Sequence, residues 1–223
     1  GIGDLFVTNS RDQLHAAAGL SSDRLYEIHG SLARLQCSSP CCPELWPADA
    51  AFLERLEREP AWVPMCPRCA GTPAAACLRP NVMIFGDNCL VSDELDAQEQ
   101  RLRAFTDRLT AEEAVPWSSG GGGGNWVVLE VGAGVVVPSI RHDAEALGHR
   151  GQGLVRVNPS PAECASMQSV DGHRLRQTAQ QGARYWPLPL RSADALKRIC
   201  DALQLPPAET PTAANPVAAA HAE

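Results

Sequence analysis

Four cysteines carry the clearest chemistry in this sequence. Cys66 and Cys69 bracket two residues as a CxxC knuckle, "CPRC", and Cys37 and Cys41 form a second pair with three residues between them. Two such pairs supply four thiolates, the ligand set of a closed, tetrahedral, structural Zn2+ site with one ion per chain. Cys42 adjoins Cys41 and is the alternative to it as ligand. The chain holds nine cysteines in all, and an odd number in a chain of 223 residues argues against a secreted disulfide framework. Cys77, Cys89, Cys164 and Cys200 are read as free, buried cysteines.

A second kind of chemistry belongs to His29. It closes the short apolar run "RLYEIHG", at the carboxyl end of an expected strand, where α/β proteins place their functional groups. A histidine there serves as a general base near neutral pH. Three other loops follow expected strands: "TNSRD" at 8–12, "GAG" at 132–134 and "NPSP" at 158–161. Glycine lets backbone approach a ligand closely, and an asparagine carboxamide both donates to and accepts from ribose hydroxyls. Together these loops predict a nucleotide crevice along one sheet edge.

The elements that position these groups follow from pattern. "LFVTN" (5–9) and "RLYEIHG" (24–30) read as short strands separated by a helix that stops at Gly19. "PADAAFLERLEREP" contains a helix that ends before Pro60. "PNVMIFGD" (80–87) reads as a strand apolar on both faces and therefore buried. A helix is expected from Ser92, with Leu95, Leu102, Phe105 and Leu109 on one face. "WVVLEVGAG", "PSIRHDAEALG" and "LVRVNPSP" form a strand, helix, strand unit of parallel-crossover length. A last helix starts at a capping Ser192 and turns Leu196, Ile199, Cys200 and Leu203 to one side. The fold class is α/β: a Rossmann-like parallel sheet with an inserted small zinc-binding module. The expected division is 1–36 and 81–205 for the Rossmann-like domain and 37–80 for the module. Residues 118–125 form a flexible Gly-rich insert, and 206–223 a disordered tail.

Composition narrows the function classes. Hydrophobic residues at 44% and charged residues at 20% are ordinary for a folded domain. A net charge of −7 without a basic stripe disfavours direct nucleic-acid binding and suits a lysine-bearing partner. No apolar run reaches membrane-spanning length, so no membrane association is expected and the chain reads as soluble and intracellular, cytoplasmic or nuclear. It opens "GIGDLFVTNS" without an initiator methionine, so a fragment or a shortened gene model is expected.

Taken in order, "IHGS", the CxxxC and "CPRC" pairs, "LRPNVMIFGD", "VGAG…VPS" and "VRVNPSP" resemble the sirtuins, the NAD-dependent protein lysine deacylases, and most closely a bacterial-type branch. The resemblance runs from about residue 5 to about residue 203. It implies that NAD+ is consumed as cosubstrate, with the acyl-lysine of a protein or peptide attacking the nicotinamide ribose as nicotinamide leaves. His29 matches the base that helps deprotonate a ribose hydroxyl. Asn9, Ser10 and Asp12 match the segment near the nicotinamide, Gly132, Ala133 and Gly134 the loop near phosphates and ribose, and Asn158 a ribose contact. Val82, Phe85 and Gly86 match the strand and turn that line the acyl-lysine tunnel and pair with the peptide. Three departures stand out. Ser10 replaces a functional asparagine, Asp87 replaces the glutamate usual after Phe-Gly, and the family's amino-terminal glycine-rich NAD loop has no match in this chain. The alternatives are a catalytically impaired sirtuin-like fragment acting as a zinc-stabilised peptide-binding module, and an NAD-dependent ADP-ribosyltransferase.

Overall fold

The structure, a computed structural model, describes residues 5–11, 14–112, 124, 126–178 and 184–205. The Gly-rich stretch at 118–125, except Gly124, and the tail 206–223 lie outside the described residues, as does Asp12. The chain divides into two compact units, one running to Leu102 and the other starting at Arg103. Parallel strands alternating with helices make the class α/β.

In the first unit, β1 (Phe6–Thr8) pairs in parallel with β2 (Leu25–Glu27), Phe6 opposite Leu25 and Thr8 opposite Glu27. The connection between them holds α1 (Leu14–Ala17) and a 3-10 turn at Ser22–Arg24. Helix α1 ends as its sequence predicts: Gly19 follows with φ +85°, a left-handed conformation that glycine adopts without a Cβ penalty.

A three-stranded antiparallel sheet follows, in the order β4 (Trp46–Pro47), β3 (Gly30–Cys37), β5 (Leu78–Val82). Strand β3 was not foreseen. Its register shifts between Ser31 and Leu35, which breaks the two-residue alternation that marks a strand in sequence. Helix α2 (Ala50–Arg58) lies in the long connection from β4 to β5, capped by Asp49, whose carboxylate accepts the Phe52 N–H at 2.8 Å.

Strand β5 is shorter than the stretch 80–87 implied, and the expected burial of its apolar continuation does not occur. Gly30, the first residue of β3, sits opposite Val82, so β5 runs out of partner there. Met83 makes one more bond to the His29 carbonyl at 2.9 Å, and the chain then turns, with the Asp87 N–H on the Ile84 carbonyl and Gly86 at φ +76°. Met83 and Ile84 are exposed, and Phe85 retains 92% of its accessible surface.

Gly30 itself is structurally obligatory. Its φ is +79°, and a Cβ there would stand 2.1 Å from the Asn81 carbonyl oxygen. Gly30→Ala therefore combines backbone strain with a backbone collision. It is expected to cost at least ~3 kcal/mol in chemical denaturation and to deprotect the β3–β5 amides in hydrogen exchange.

Helix α3 (Asp93–Glu112) crosses from the first unit into the second, opening with Asp93, Glu94 and Asp96 in its first turn, where the helix dipole favours acidic side chains. Leu95 is buried, and Leu102, Phe105 and Leu109 are half-buried, as their spacing predicts.

The second unit is a parallel sheet ordered β6 (Val127–Val131), β7 (Gly153–Val157), β8 (Tyr185–Leu188). The expected strand, helix, strand unit is present, with α4 (Ser139–Arg150) joining β6 to β7 in full register from Val127–Gly153 to Val131–Val157. Helices α5 (Pro161–Ala165) and α6 (Val170–Thr178) join β7 to β8, and α7 (Ser192–Ala202) follows. Ser192 begins α7 without a side-chain cap, and Ala195 is its buried residue, while Leu196 and Leu203 are exposed. The core packs Leu154, Leu175, Met167, Ala144 and Tyr185, with Val128 against them.

Beside that core lies a fully buried ion network. The Arg156 guanidinium donates to both oxygens of Glu130 (2.7 and 2.8 Å) and to Glu145 (2.9 Å), and all three side chains are inaccessible to solvent. Glu145 also accepts from the Gln168 N–H and the Ser169 hydroxyl. Burial pushes the Glu130 carboxyl above its usual range even with the guanidinium fork in place. Arg156→Met would leave two buried carboxylates without their shared cation. It is expected to destabilise the unit by about 3–5 kcal/mol, read as a lowered denaturation midpoint.

Candidate metal centre and active site

The end of β3 delivers Cys37, fully buried, and the chain then bends through Ser38–Pro43 to bring Cys41 back over it. Opposite, the knuckle closes by an Ala70 N–H to Cys66 carbonyl bond at 2.9 Å. The isolated antiparallel bridge Met65–Cys77 ties the knuckle to the strand entering β5. The four sulfurs of Cys37, Cys41, Cys66 and Cys69 lie within 4.8 Å of one another. Two edges measure 3.6 Å (Cys41–Cys66) and 3.9 Å (Cys37–Cys69). A tetrahedral zinc with bonds of about 2.3 Å requires sulfur separations of about 3.8 Å, so the set fits the ion.

Cys42 is outside this group, with its sulfur 3.9 Å from that of Cys41, so the fourth position belongs to Cys41. The knuckle also supports thiolate at Cys66. Burial raises its pKa, but the N–H groups of Cys69 and Arg68 outweigh that and bring it down to about 7. The Cys69 sulfur accepts the Ala76 N–H at 3.3 Å. Arg68, within the knuckle, is held by the Glu44 carboxylate through Nε at 2.7 Å and a second guanidinium bond. Of the other cysteines, Cys164 is buried as expected, Cys77 and Cys200 are half-buried, and Cys89 is exposed.

Around His29 the parallel pairing of β1 and β2 sets the geometry, because it places both carboxyl ends at the same edge. The Ile28 N–H reaches the Thr8 carbonyl at 3.0 Å, so the loops after the two strands start side by side. Thr8 organises its own loop: its hydroxyl accepts the Ser10 N–H at 3.0 Å and lies 3.0 Å from His15 Nε2. The Arg11 carbonyl accepts the Leu32 N–H at 3.1 Å, tying that loop to β3. Asn9 is exposed, and Ser10 and His29 are half-buried. Burial, and then the positive charge of Arg11, hold the His29 imidazolium below the usual histidine pKa. The ring is accordingly neutral at pH 7.

Val82 lies under this edge, buried opposite Gly30, whereas Phe85 and Gly86 project on the exposed turn that follows. That turn is clasped at its base. Asp87 receives Arg79 Nη2 at 2.5 Å and the Cys89 N–H at 2.8 Å, and the latter bond, followed by Arg79, holds its carboxyl below the usual range. A buried amide pair completes the clasp. Asn81 donates to Gln36 at 2.7 Å and to the Val91 carbonyl at 2.9 Å, while Gln36 donates to the Cys89 carbonyl at 2.6 Å. Sequence reasoning missed Arg11, Arg79, Gln36 and Asn81. The proximity of Arg11 to "TNS" was a signal, but the other three act across the chain and leave none.

In the second unit, Gly132, Ala133 and Gly134 meet Asn158. Gly132, at φ +70°, donates to the Val157 carbonyl at 2.9 Å. Asn158 Nδ2 reaches the Ala133 carbonyl at 3.3 Å and Glu163 at 3.1 Å, while its Oδ1 accepts the Ser160 N–H at 2.9 Å. Both ends of the carboxamide are thus engaged in joining the two loops. Arg141, fully buried, adds bonds to the Ala133 carbonyl at 3.0 Å and the Glu163 carbonyl at 2.8 Å.

A parallel-stranded α/β protein with a four-thiolate metal centre and a neutral histidine where two strands end is the class these features define. Residues 4–105 match the model of the Sir2 family, a span that contains His29 and all four cysteines of the cluster. The chain is 36% identical over 110 residues to the zebrafish (Danio rerio) mitochondrial NAD-dependent protein deacylase sirtuin-5, covering 44% of this chain and 34% of that protein. It is 27% identical over 164 residues to NAD-dependent protein deacylase 2 of Pseudomonas syringae, covering 74% and 53%. With the NAD-dependent protein deacylase of Thermus thermophilus the figures are 37% over 103 residues, 46% and 32%. The chain thus spans between about a third and about half of the length of these relatives. Among the described residues, no helix is long and apolar enough to cross a membrane.

Proposed function

We propose that this chain carries the base and the structural metal module of an NAD-dependent protein lysine deacylase, which passes the acyl group of a lysine to ADP-ribose and releases nicotinamide. The observation that supports the reading most is the co-location, within residues 4–105, of the Sir2 family match, the neutral His29 and a four-thiolate set with tetrahedral spacing. The same reading divides the chain into a Rossmann-like domain from 1–36 and 81–205 and a zinc module at 37–80.

On this reading His29 accepts a proton from a ribose hydroxyl, which requires the neutral ring that burial and Arg11 favour. Asn9, Ser10 and Asp12 attend the nicotinamide end, with the Ser10 amide already oriented by Thr8. Gly132, Ala133 and Gly134 take the cosubstrate's phosphate and ribose side, and Asn158, which joins the two loops, contacts a ribose. Val82, Phe85 and Gly86 receive the acyl-lysine peptide on a turn whose shape Asp87 and Arg79 maintain. The partner is an acyl-lysine protein or peptide.

The assay is nicotinamide release from NAD+ with and without an acetyl-lysine peptide. Peptide-dependent release is expected. Release that does not depend on the peptide would favour ADP-ribosyl transfer or simple hydrolysis, and its absence in metal-loaded protein would count against deacylation.

A further inference from the structure

We infer that Cys42 is a resident exchange ligand of the metal centre, able to take the position of Cys41 while the other three thiolates hold the ion. This inference rests on the four-thiolate reading of the centre. The four ligands are not equivalent. Cys37, Cys66 and Cys69 are buried and anchored by the β3–β5 sheet and the knuckle, whereas Cys41 is exposed and sits in the irregular bend Ser38–Pro43.

A second thiol stands beside that one accessible ligand. The Cys42 sulfur is 3.9 Å from the Cys41 sulfur, about one edge of the coordination tetrahedron, and the Arg68 guanidinium, fixed by Glu44, attracts negative charge on either. A surface recess of about 360 Å3 is lined by the pair together with Pro40, Pro43, Val91 and Ser92. It gives solvent, and an incoming ion, a path to this corner of the site. Exchange forms one metal–sulfur bond to Cys42 as the bond to Cys41 breaks. The thiol proton of Cys42 passes to Cys41 through water, so charge and coordination number are unchanged. One corner of the centre is therefore duplicated, which suits capture of the ion during loading.

Cobalt(II) titration of the full chain tests this, because sulfur-to-cobalt charge-transfer intensity per ion rises with the number of thiolates. Four thiolates are expected in the native chain, in C41S and in C42S, and three in C41S/C42S. In zinc competition against a chelator, C41S is expected to bind within about tenfold of the native chain and C41S/C42S at least about 100-fold more weakly. A three-thiolate spectrum or loss of metal in C41S would overturn the exchange, as would a four-thiolate spectrum in the double variant, which would place the spare ligand elsewhere. A native chain that binds no metal would overturn the centre itself, a result distinct from either.

Discussion

Stripping the metal from the intact chain is expected to unfold the segment between Cys37 and Leu78 while the parallel sheet of the second unit keeps its protection. The physical reason is the poverty of that segment's own core. Its buried cluster consists of the ligands Cys37, Cys66 and Cys69, with Trp46, Ala76 and Leu78 only partly buried around them. Among the described residues of α2 none is buried. Its Phe52 stands edge-on to Trp62 at 5.5 Å, with Arg55 over the same indole at 4.0 Å. So little apolar burial cannot offset the entropy of ordering a long, proline-containing connection. Metal–thiolate bonding supplies the difference, on the order of 10 kcal/mol for structural zinc sites. The expected readouts are about one zinc per chain in freshly purified protein and a change in tryptophan fluorescence on chelation. New protease cleavage between residues 38 and 77 should accompany them. A chelated chain that keeps native exchange protection across residues 38–77 would show that packing alone supports the module.

His29→Ala is expected to lower peptide-dependent nicotinamide release by about 100- to 10,000-fold, the span of general-base contributions, without shifting the thermal midpoint. The pH profile makes the assignment specific. Because burial and Arg11 lower the pKa of His29, its neutral form persists below the ordinary histidine value of about 6.5, and the acid limb of the rate falls below that pH. Arg11→Gln removes the smaller of the two causes, so the limb should move upward while burial keeps it short of the unperturbed position. Stability has the same origin. The folded chain binds the proton of His29 less readily than the unfolded chain, so stability declines as pH falls from about 6.5 through the folded pKa and is unaffected above that window. An acid limb that stays in place in Arg11→Gln, or activity that survives loss of the imidazole, would remove His29 from the base role.

How far the sequence could be read depended on the range of the interactions. The cysteine knuckle, the Gly19 helix stop and the β6–α4–β7 unit are local patterns, in which spacing of a few residues dictates geometry, and all three stand in the structure. The stretch at 80–87 shows the opposite case. Apolar composition at 80–87 implied a buried strand, but β5 ends where its partner β3 begins at Gly30, and Phe85 is left in solvent. Composition cannot report where a partner strand stops.

The sequence by itself determined the α/β class, the four-thiolate chemistry and the candidacy of His29, because each follows from residue type and short-range order. The choice between Cys41 and Cys42 is made by the fold, since the two sulfurs stand side by side and only that of Cys41 lies within reach of the other three. The fold also lowers the pKa of His29 through a half-buried edge and the nearby Arg11, and it binds Asn158 into the loops it joins. These outcomes depend on groups brought together from distant strands, and distances of that kind exist only once the chain has folded.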